Sequence, residues 1–372
     1  VSAVPRRGDS LETRWTRWPH TKAKHDLLVR YLGAWFPIMG RSVRKAIVLD
    51  AFAGPGRYDH GEEGSPILVL NALLEHKDFA NWSNCEFVLL FNELDPERFE
   101  SLEGVLGELR TANDPWPPNV RLLDPQNQSF EELGRQMLDS LKGNNMAPTF
   151  AFIDPFGYKG LPLDLVAELV SFPMCELFIY FDFNSINRFA TANVVDKHFD
   201  RLFGTDEYRN APPAGDPARQ QFLHDLYERQ LKQAANFAHV RSFAMVNDTG
   251  HIGNYMFFCT RNRRAFDLMK GAMWKIDPSG EYRFEDSLAG QDVLFEDENA
   301  TGPLRDYLLE HYAGKTVPIQ QLVDHVIDET PFHSGQVRRQ TLAPMQREGL
   351  ISATGQQRKC TYPEGVSVVF PD

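Results

Sequence analysis

The sequence predicts an α/β protein with a doubly wound, mostly parallel sheet of seven strands, followed by a smaller C-terminal domain. Three observations predict it. Apolar runs alternate with amphipathic helical segments from residue 45 to residue 184. Those runs are apolar throughout, as strands covered on both faces must be. The first run ends in an aspartate and a glycine-rich turn, VLDAFAGPG at 48–56, the place where open α/β sheets bind ligands.

The elements follow in order. Residues 21–39 set Leu27, Leu28, Tyr31, Leu32 and Trp35 at helical spacing. KAIVLDAF (45–52) is the first strand, followed by the turn AGPGRYDHGEEGSP and a helix from Pro66. CEFVLLFNE (85–93) is the second strand, with a helix from Pro96; NVRLLD (119–124) is the third, with the helix SFEELGRQMLDSLK. TFAFIDPFG (149–157) is the fourth, with a helix around 162–171, and CELFIYFDF (175–183) is the fifth. Residues 187–236 read as a helical insertion with a Pro/Gly break at 211–217. Strands at 239–247 and 254–262, separated by DTGHIG, predict an antiparallel hairpin, and a helix spans 263–275. Residues 289–303 read as a boundary.

Beyond it lie helices at 303–312, 318–329 and 334–348, then two strands around TGQQRK. That order suggests a winged-helix module with Arg338, Arg339 and Arg347 on its third helix. Seven basic against eight acidic residues favour a packing or interaction module. Three regions result: a basic arm and helix (1–45), a sheet domain (46–298) and a winged-helix-like domain (299–372).

Composition bounds the function. The 372 residues are 42% hydrophobic and 24% charged, enough for a sizeable core. No apolar run reaches the roughly 18 residues needed to cross a bilayer, and VSAVPRRGDS has no signal-peptide core. Cys85, Cys175, Cys259 and Cys360 are scattered, with no zinc spacing. A cytoplasmic protein away from membranes is expected. The net charge of -12 counts against non-specific coating of nucleic acid, but the first 45 residues carry ten basic and three acidic residues. There, Trp15 and Trp18 stand among Arg14, Arg17, Lys22 and Lys24. Such interleaving suits bases and phosphates; a solvated arm with packed tryptophans reads the same way.

The chemistry-bearing residues gather at strand ends. Asp50 precedes a turn whose backbone, Phe52, Ala53, Gly54 and Gly56, can approach a ligand closely. The turn is neither a dinucleotide fingerprint nor a P-loop. Glu93 ends the second strand, where an acid can bind two ribose hydroxyls; Asp124 ends the third, where it can meet an adenine amine; Asp154 ends the fourth. Four acids on one rim repel one another. S-adenosylmethionine, with hydroxyls, an amine and a positive centre, would relieve that. Asp154 and the carbonyl of Pro155 can accept hydrogen bonds from an amine undergoing methylation and offset its developing charge. Phe156 or Tyr158 can stack on a planar base. Ser65 reads as a helix N-cap. A metal nuclease built on Asp50, Glu93 and Asp154 is the weaker alternative.

These residues resemble the class I S-adenosylmethionine-dependent methyltransferases. Asp154-Pro155-Phe156-Gly157 resembles the Asp/Asn-Pro-Pro-Tyr/Phe motif of amino-methyltransferases of adenine and cytosine, departing from it at the third and fourth positions. More closely, TKAKHDLLVRYLGAW, DAFAGPGRYDHGEEGSP, NELDPERF, FIDPFGYKG and AMWKID resemble the three-Cys-motif partner proteins. The resemblance implies a methyltransferase-like fold and a neighbouring three-cysteine protein as partner. It offers Lys22, Lys24 and His25 to the cofactor's carboxylate, and Asp182 and Asn184 to the substrate cleft. The expected function is methylation of an amine, on a nucleobase in DNA or RNA. The alternative is a regulatory partner that keeps the cofactor fold.

Overall fold

The computed structural model describes residues 19–158, 160–189, 196–247, 250–285 and 301–372. The arm with Trp15 and Trp18, and most of the 289–303 boundary, lie outside them. Helix α1 (Pro19–Ser42) leads into β1 (Lys45–Asp50), α2 (Ser65–Leu74), β2 (Glu86–Phe91), α3 (Pro96–Ala112) and β3 (Val120–Leu122). Then come α4 (Phe130–Ser140), β4 (Thr149–Ile153), α5 (Leu163–Leu169) and β5 (Glu176–Phe181). The insertion forms α6 (Phe183–Phe189), α7 (Asp196–Phe203) and α8 (Ala218–Ala234), with the 211–217 break between the last two. β6 (His239–Val246), β7 (Ile252–Thr260), α9 (Arg263–Trp274) and β8 (Arg283–Glu285) complete the sheet domain.

The sheet order is β3-β2-β1-β4-β5-β7-β6-β8. Strands β1 to β5 pair in parallel, and β7 joins antiparallel to both β5 and β6, which gives the expected hairpin. The strand order reverses between β1 and β4, so the crevice outside their carboxyl ends is the topological switch point. The expected seven strands are corrected to eight: β8 adds to β6 in parallel through Ala244–Arg283 and Val246–Glu285. Three residues reading Arg-Phe-Glu carry no periodicity, and a short, charged edge strand is what a sheet margin tolerates.

Two apolar layers cover the sheet. One joins α1, the sheet face and α9 through Leu28, Trp35, Phe150 and Met269. The other joins the opposite face to α5, α7 and α8 through Ile153, Leu165, Phe199 and Leu226.

The C-terminal region holds α10 (Gly302–His311), β9 (Thr316–Pro318), α11 (Ile319–Glu329), α12 (Ala343–Arg347), β10 (Ser352–Thr354) and β11 (Ser367–Val369). Its strands form an antiparallel sheet ordered β10-β11-β9. The helix expected over 334–348 is broken into a 3₁₀ turn (Ser334–Gln336), a π turn (Val337–Leu342) and α12. Pro344 has no N–H to return to the carbonyl of Gln340; that carbonyl accepts instead from the Thr301 hydroxyl at 3.0 Å. The α1–α9 layer runs on into this region through Leu322, Phe332 and Leu342. Lys270 of α9 is fully buried and donates to the carbonyls of Ile327 and Thr330 at 2.7 and 2.8 Å, closing the end of α11. Burial pulls its ammonium down to about 7.

Candidate functional site

The site is built on the turn after β1. Asp50 is fully buried; its carboxylate accepts from the Ser65 hydroxyl at 2.6 Å and from the Phe52 N–H at 3.3 Å. These contacts bend the chain back toward α2. Gly54 has φ +64°, and a side chain there would point into open space. Gly64 comes so close to the Gly56 carbonyl that a Cβ would lie 2.8 Å from it. The glycines thus leave a bare backbone wall on the crevice side and close the loop behind it.

Glu93, at the end of β2, braces that wall. Its carboxylate accepts from the Gly54 N–H and the Asp95 N–H, both at 2.9 Å. Each oxygen retains further acceptor capacity. Asn92 ties the neighbouring ends together, donating to the Ala51 carbonyl at 3.1 Å and the Gln128 carbonyl at 3.0 Å. Asp95 caps α3 through the N–H groups of Glu97 and Arg98, which turns the chain sharply away after Glu93.

Burial raises the Asp50 carboxyl to about 7; the hydrogen bonds from Ser65 and Phe52 oppose the rise, and repulsion from Asp154 and Glu93 contributes least. Burial also raises Glu93, opposed by the Asp95 N–H and by the Arg98 charge.

On the other side of the crevice stands β4. Lys24 of α1 donates to both oxygens of Asp154 at 2.8 and 2.6 Å. Pro155 is buried, and Phe156 is 59% exposed, its ring 4.9 Å above the Arg98 guanidinium. Together with His25 and the glycine turn, Asp154 and Phe156 line a narrow cleft.

The structure brings together Phe52, Ala53, Gly54, Gly56, Asp154 and Phe156 at this cleft, with Glu93 behind the turn. Four expectations need correction. Asp124 lies beyond β3 with its side chain 86% exposed, and it pairs with Arg110 at 3.2 Å. Tyr158 is buried and stacks on Phe199 at 4.7 Å, so it packs the core and presents no face to a base. Ser65 is not the cap of α2, which Gly64 provides; it holds Asp50. The crowd of like charges is relieved from within the chain, by Ser65, backbone N–H groups and Lys24, so repulsion alone does not call for a ligand.

Lys22 pairs with Asp26 on the exposed face of α1, whereas His25 lines the cleft. Asp182 caps α6 through the Ser185 N–H at 3.0 Å. Sequence reasoning missed Arg98, Asn92 and Tyr58 at this site. Arg98, three residues after the Asp95 cap, carried the only readable signal. Among the described residues, no group of three or more His, Cys, Asp or Glu side chains could hold a metal ion. Among them, too, no helix is long and apolar enough to cross a membrane. All four cysteines are free thiols, three of them buried.

The chain matches no family model and no curated protein. Several solved structures are similar at low identity. A protein from Legionella pneumophila str. Philadelphia 1 is 14% identical over 64% of this chain and 84% of its own, with a TM-score of 0.37. The O-methyltransferase TomG from Streptomyces achromogenes, solved in complex with SAM, is 14% identical over 65% of this chain and 80% of its own, with a TM-score of 0.32. The DszA carbon methyltransferase is 13% identical over 65% of this chain and 55% of its own, with a TM-score of 0.34. Methyltransferases are thus among the chain's structural neighbours.

Proposed function

We propose that the protein is an S-adenosylmethionine-dependent methyltransferase acting on an amine of a nucleobase in DNA or RNA. The observation that carries this reading is the pairing of two half-sites across the switch point. On one side is a bare glycine wall braced by Glu93; on the other is Asp154-Pro155 with an exposed ring next to it. Nothing lies within 4 Å of where a Gly54 side chain would stand, which suits close approach of an adenosyl group, and Glu93, bonded to the Gly54 and Asp95 N–H groups, is the acid to which this proposal gives the ribose hydroxyls. The cofactor, when bound, supplies an electrophilic methyl group on a positively charged sulfur.

The chain's own residues do the rest. Asp50 and Ser65 hold the turn in place from below. Asp154 and the Pro155 carbonyl accept from the acceptor amine, which aims its lone pair and offsets the positive charge that grows on nitrogen. Phe156, backed by the Arg98 charge, offers a face on which a flipped base can stack. In the C-terminal region, Arg339 and Arg347 are exposed and can meet phosphates, whereas Arg338 lines a cavity against α9. A winged-helix role in nucleic-acid binding belongs to this proposal.

The test is transfer of tritiated methyl from labelled cofactor into DNA, RNA, nucleosides and the neighbouring three-Cys-motif protein in parallel. Asp154→Ala is expected to keep cofactor binding and lose transfer by about a thousandfold or more. Label in none of these acceptors would sink the enzymatic reading. A second reading, a partner that keeps the cofactor fold, is favoured by the ion pair that fills the acceptor side of Asp154. Under it the ligand binds, no acceptor is labelled, and the chain co-purifies with its three-Cys-motif neighbour.

A further inference from the structure

Lys24 stands at the Asp154 half-site. Its ammonium contacts both oxygens of Asp154 at 2.8 and 2.6 Å and sits 4.2 Å from the centroid of the Tyr180 ring. The side chains are nearly enclosed, 8% exposed for Lys24 and 17% for Asp154. A cationic nitrogen held by a carboxylate over an aromatic face is a strong and specific arrangement. It is also the arrangement that an acceptor amine would adopt at Asp154 under the proposed function, on which this inference rests. The next residue, His25, lines the cleft beside the glycine wall. The same turn of α1 therefore borders the cofactor side and fills the acceptor side.

We infer that Lys24 is a positioning residue that couples the two sites by changing partners. With the cleft empty, Lys24 neutralises Asp154 and occupies the acceptor's seat. With S-adenosylmethionine bound, Lys24 exchanges Asp154 for the carboxylate of the cofactor's amino-acid end, and Asp154 becomes free to accept from an amine. The acceptor subsite then opens only after cofactor binding, which gives an ordered reaction. No covalent step is involved; one charge-assisted contact replaces another of the same kind. Because coupling between two sites is reciprocal, loosening the Asp154 contact must strengthen the cofactor contact. A mere brace between α1 and β4 makes no such demand.

Calorimetric titration of the full chain decides the matter, using S-adenosylhomocysteine and 5′-methylthioadenosine, which lacks the amino-acid end. Asp154→Asn removes the competing carboxylate charge. It is expected to bind S-adenosylhomocysteine about fivefold tighter than the wild type or better, with the methylthioadenosine affinity unchanged. Lys24→Met is expected to lose the preference for S-adenosylhomocysteine over methylthioadenosine by about tenfold while keeping methylthioadenosine binding. A well-folded Asp154→Asn that binds S-adenosylhomocysteine no tighter than the wild type overturns the inference and leaves the proposed function standing. If Asp154→Asn does not fold, the ratio in Lys24→Met decides alone: equal weakening of both ligands makes Lys24 a brace. A wild-type chain that binds neither ligand removes the proposed function itself.

Discussion

Two buried carboxylates, Asp50 at the carboxyl-end edge of the parallel strands and Glu176 at their amino-end edge, differ in what surrounds them. Asp50 closes β1 and Glu176 opens β5; β1, β4 and β5 run parallel, so the two lie at opposite edges. Burial raises both to about 7. Glu176 is sealed. It accepts from the Tyr31 hydroxyl at 2.5 Å and the Thr260 hydroxyl at 3.3 Å, beneath the Tyr31, Phe150 and Phe258 rings. Asp50 sits under a glycine turn that faces a cleft. A displaced pKa therefore does not distinguish the cleft edge, since both carboxyls have one. What marks it is open backbone at the carboxyl ends of the strands, together with acids that keep spare acceptor capacity.

The sharpest way to break this contrast is to truncate one acid at each edge. Glu93→Ala removes the brace of the glycine wall and, under the proposed function, the acceptor for the ribose hydroxyls. It is expected to weaken S-adenosylhomocysteine binding about a hundredfold, the equivalent of two charge-assisted hydrogen bonds at modest net worth. Glu176→Ala is expected to leave that affinity unchanged and to lower stability by about 3 kcal/mol in urea unfolding, because the Tyr31 and Thr260 hydroxyls lose their buried partner. A Glu176→Ala protein that folds well but binds the ligand poorly would erase the distinction between the two edges.

The functional edge was the legible one. The Asp-Ala-Phe-Ala-Gly-Pro-Gly turn, Glu93 and Asp154-Pro155 stand at strand ends that the apolar runs locate, so their shared rim follows from parallel pairing alone. The hairpin of β6 and β7 follows in the same way from two runs and a short glycine-bearing gap. Side-chain direction does not follow. One residue separates Phe156 from Tyr158, yet one is exposed at the cleft and the other stacks on Phe199 in the insertion. Asp124 fell outside because β3 ends at Leu122, and the two further residues carry the carboxylate out to Arg110. Lys24 and Asp154 are 130 residues apart in sequence, and no local pattern announces such a pair. β8 and the broken helix at 334–348 rest on edge pairing and on one proline, which periodicity does not register.

Titration sharpens the same comparison with a smaller effect. A carboxyl raised by folding holds its proton more tightly in the native state. Its contribution favours folding in acid and is lost as the pH rises from the usual carboxylate range near 4 through about 7. Asp50→Asn and Glu176→Gln each remove one such group while keeping an acceptor for the neighbouring hydroxyl. Each variant is expected to be more stable than the wild type at pH 8 by about 2 kcal/mol, and to show a flatter stability profile between pH 4 and 7. Denaturant midpoints across that range check it. If Asp50→Asn loses stability at pH 8, Asp50 is held ionised by a cationic partner and the two carboxylates are not equivalent.

The smallest binding effect concerns the two aromatic residues after β4. Phe156 exposes more than half its surface, so Phe156→Ala is expected to shift stability by no more than about 0.5 kcal/mol. Tyr158→Ala empties a stacked position against Phe199 and is expected to cost about 3 kcal/mol. Binding separates them in the opposite sense: single-stranded oligonucleotide affinity, read by fluorescence anisotropy with cofactor product present, is expected to fall about tenfold in Phe156→Ala, the loss of one stacked base. The conservative Tyr158→Phe keeps the stacked ring and is expected to bind like the wild type. An exposed aromatic that matters to neither stability nor oligonucleotide binding would leave the nucleobase reading without its stacking face, and the acceptor amine would then belong to a smaller molecule held by Asp154 alone.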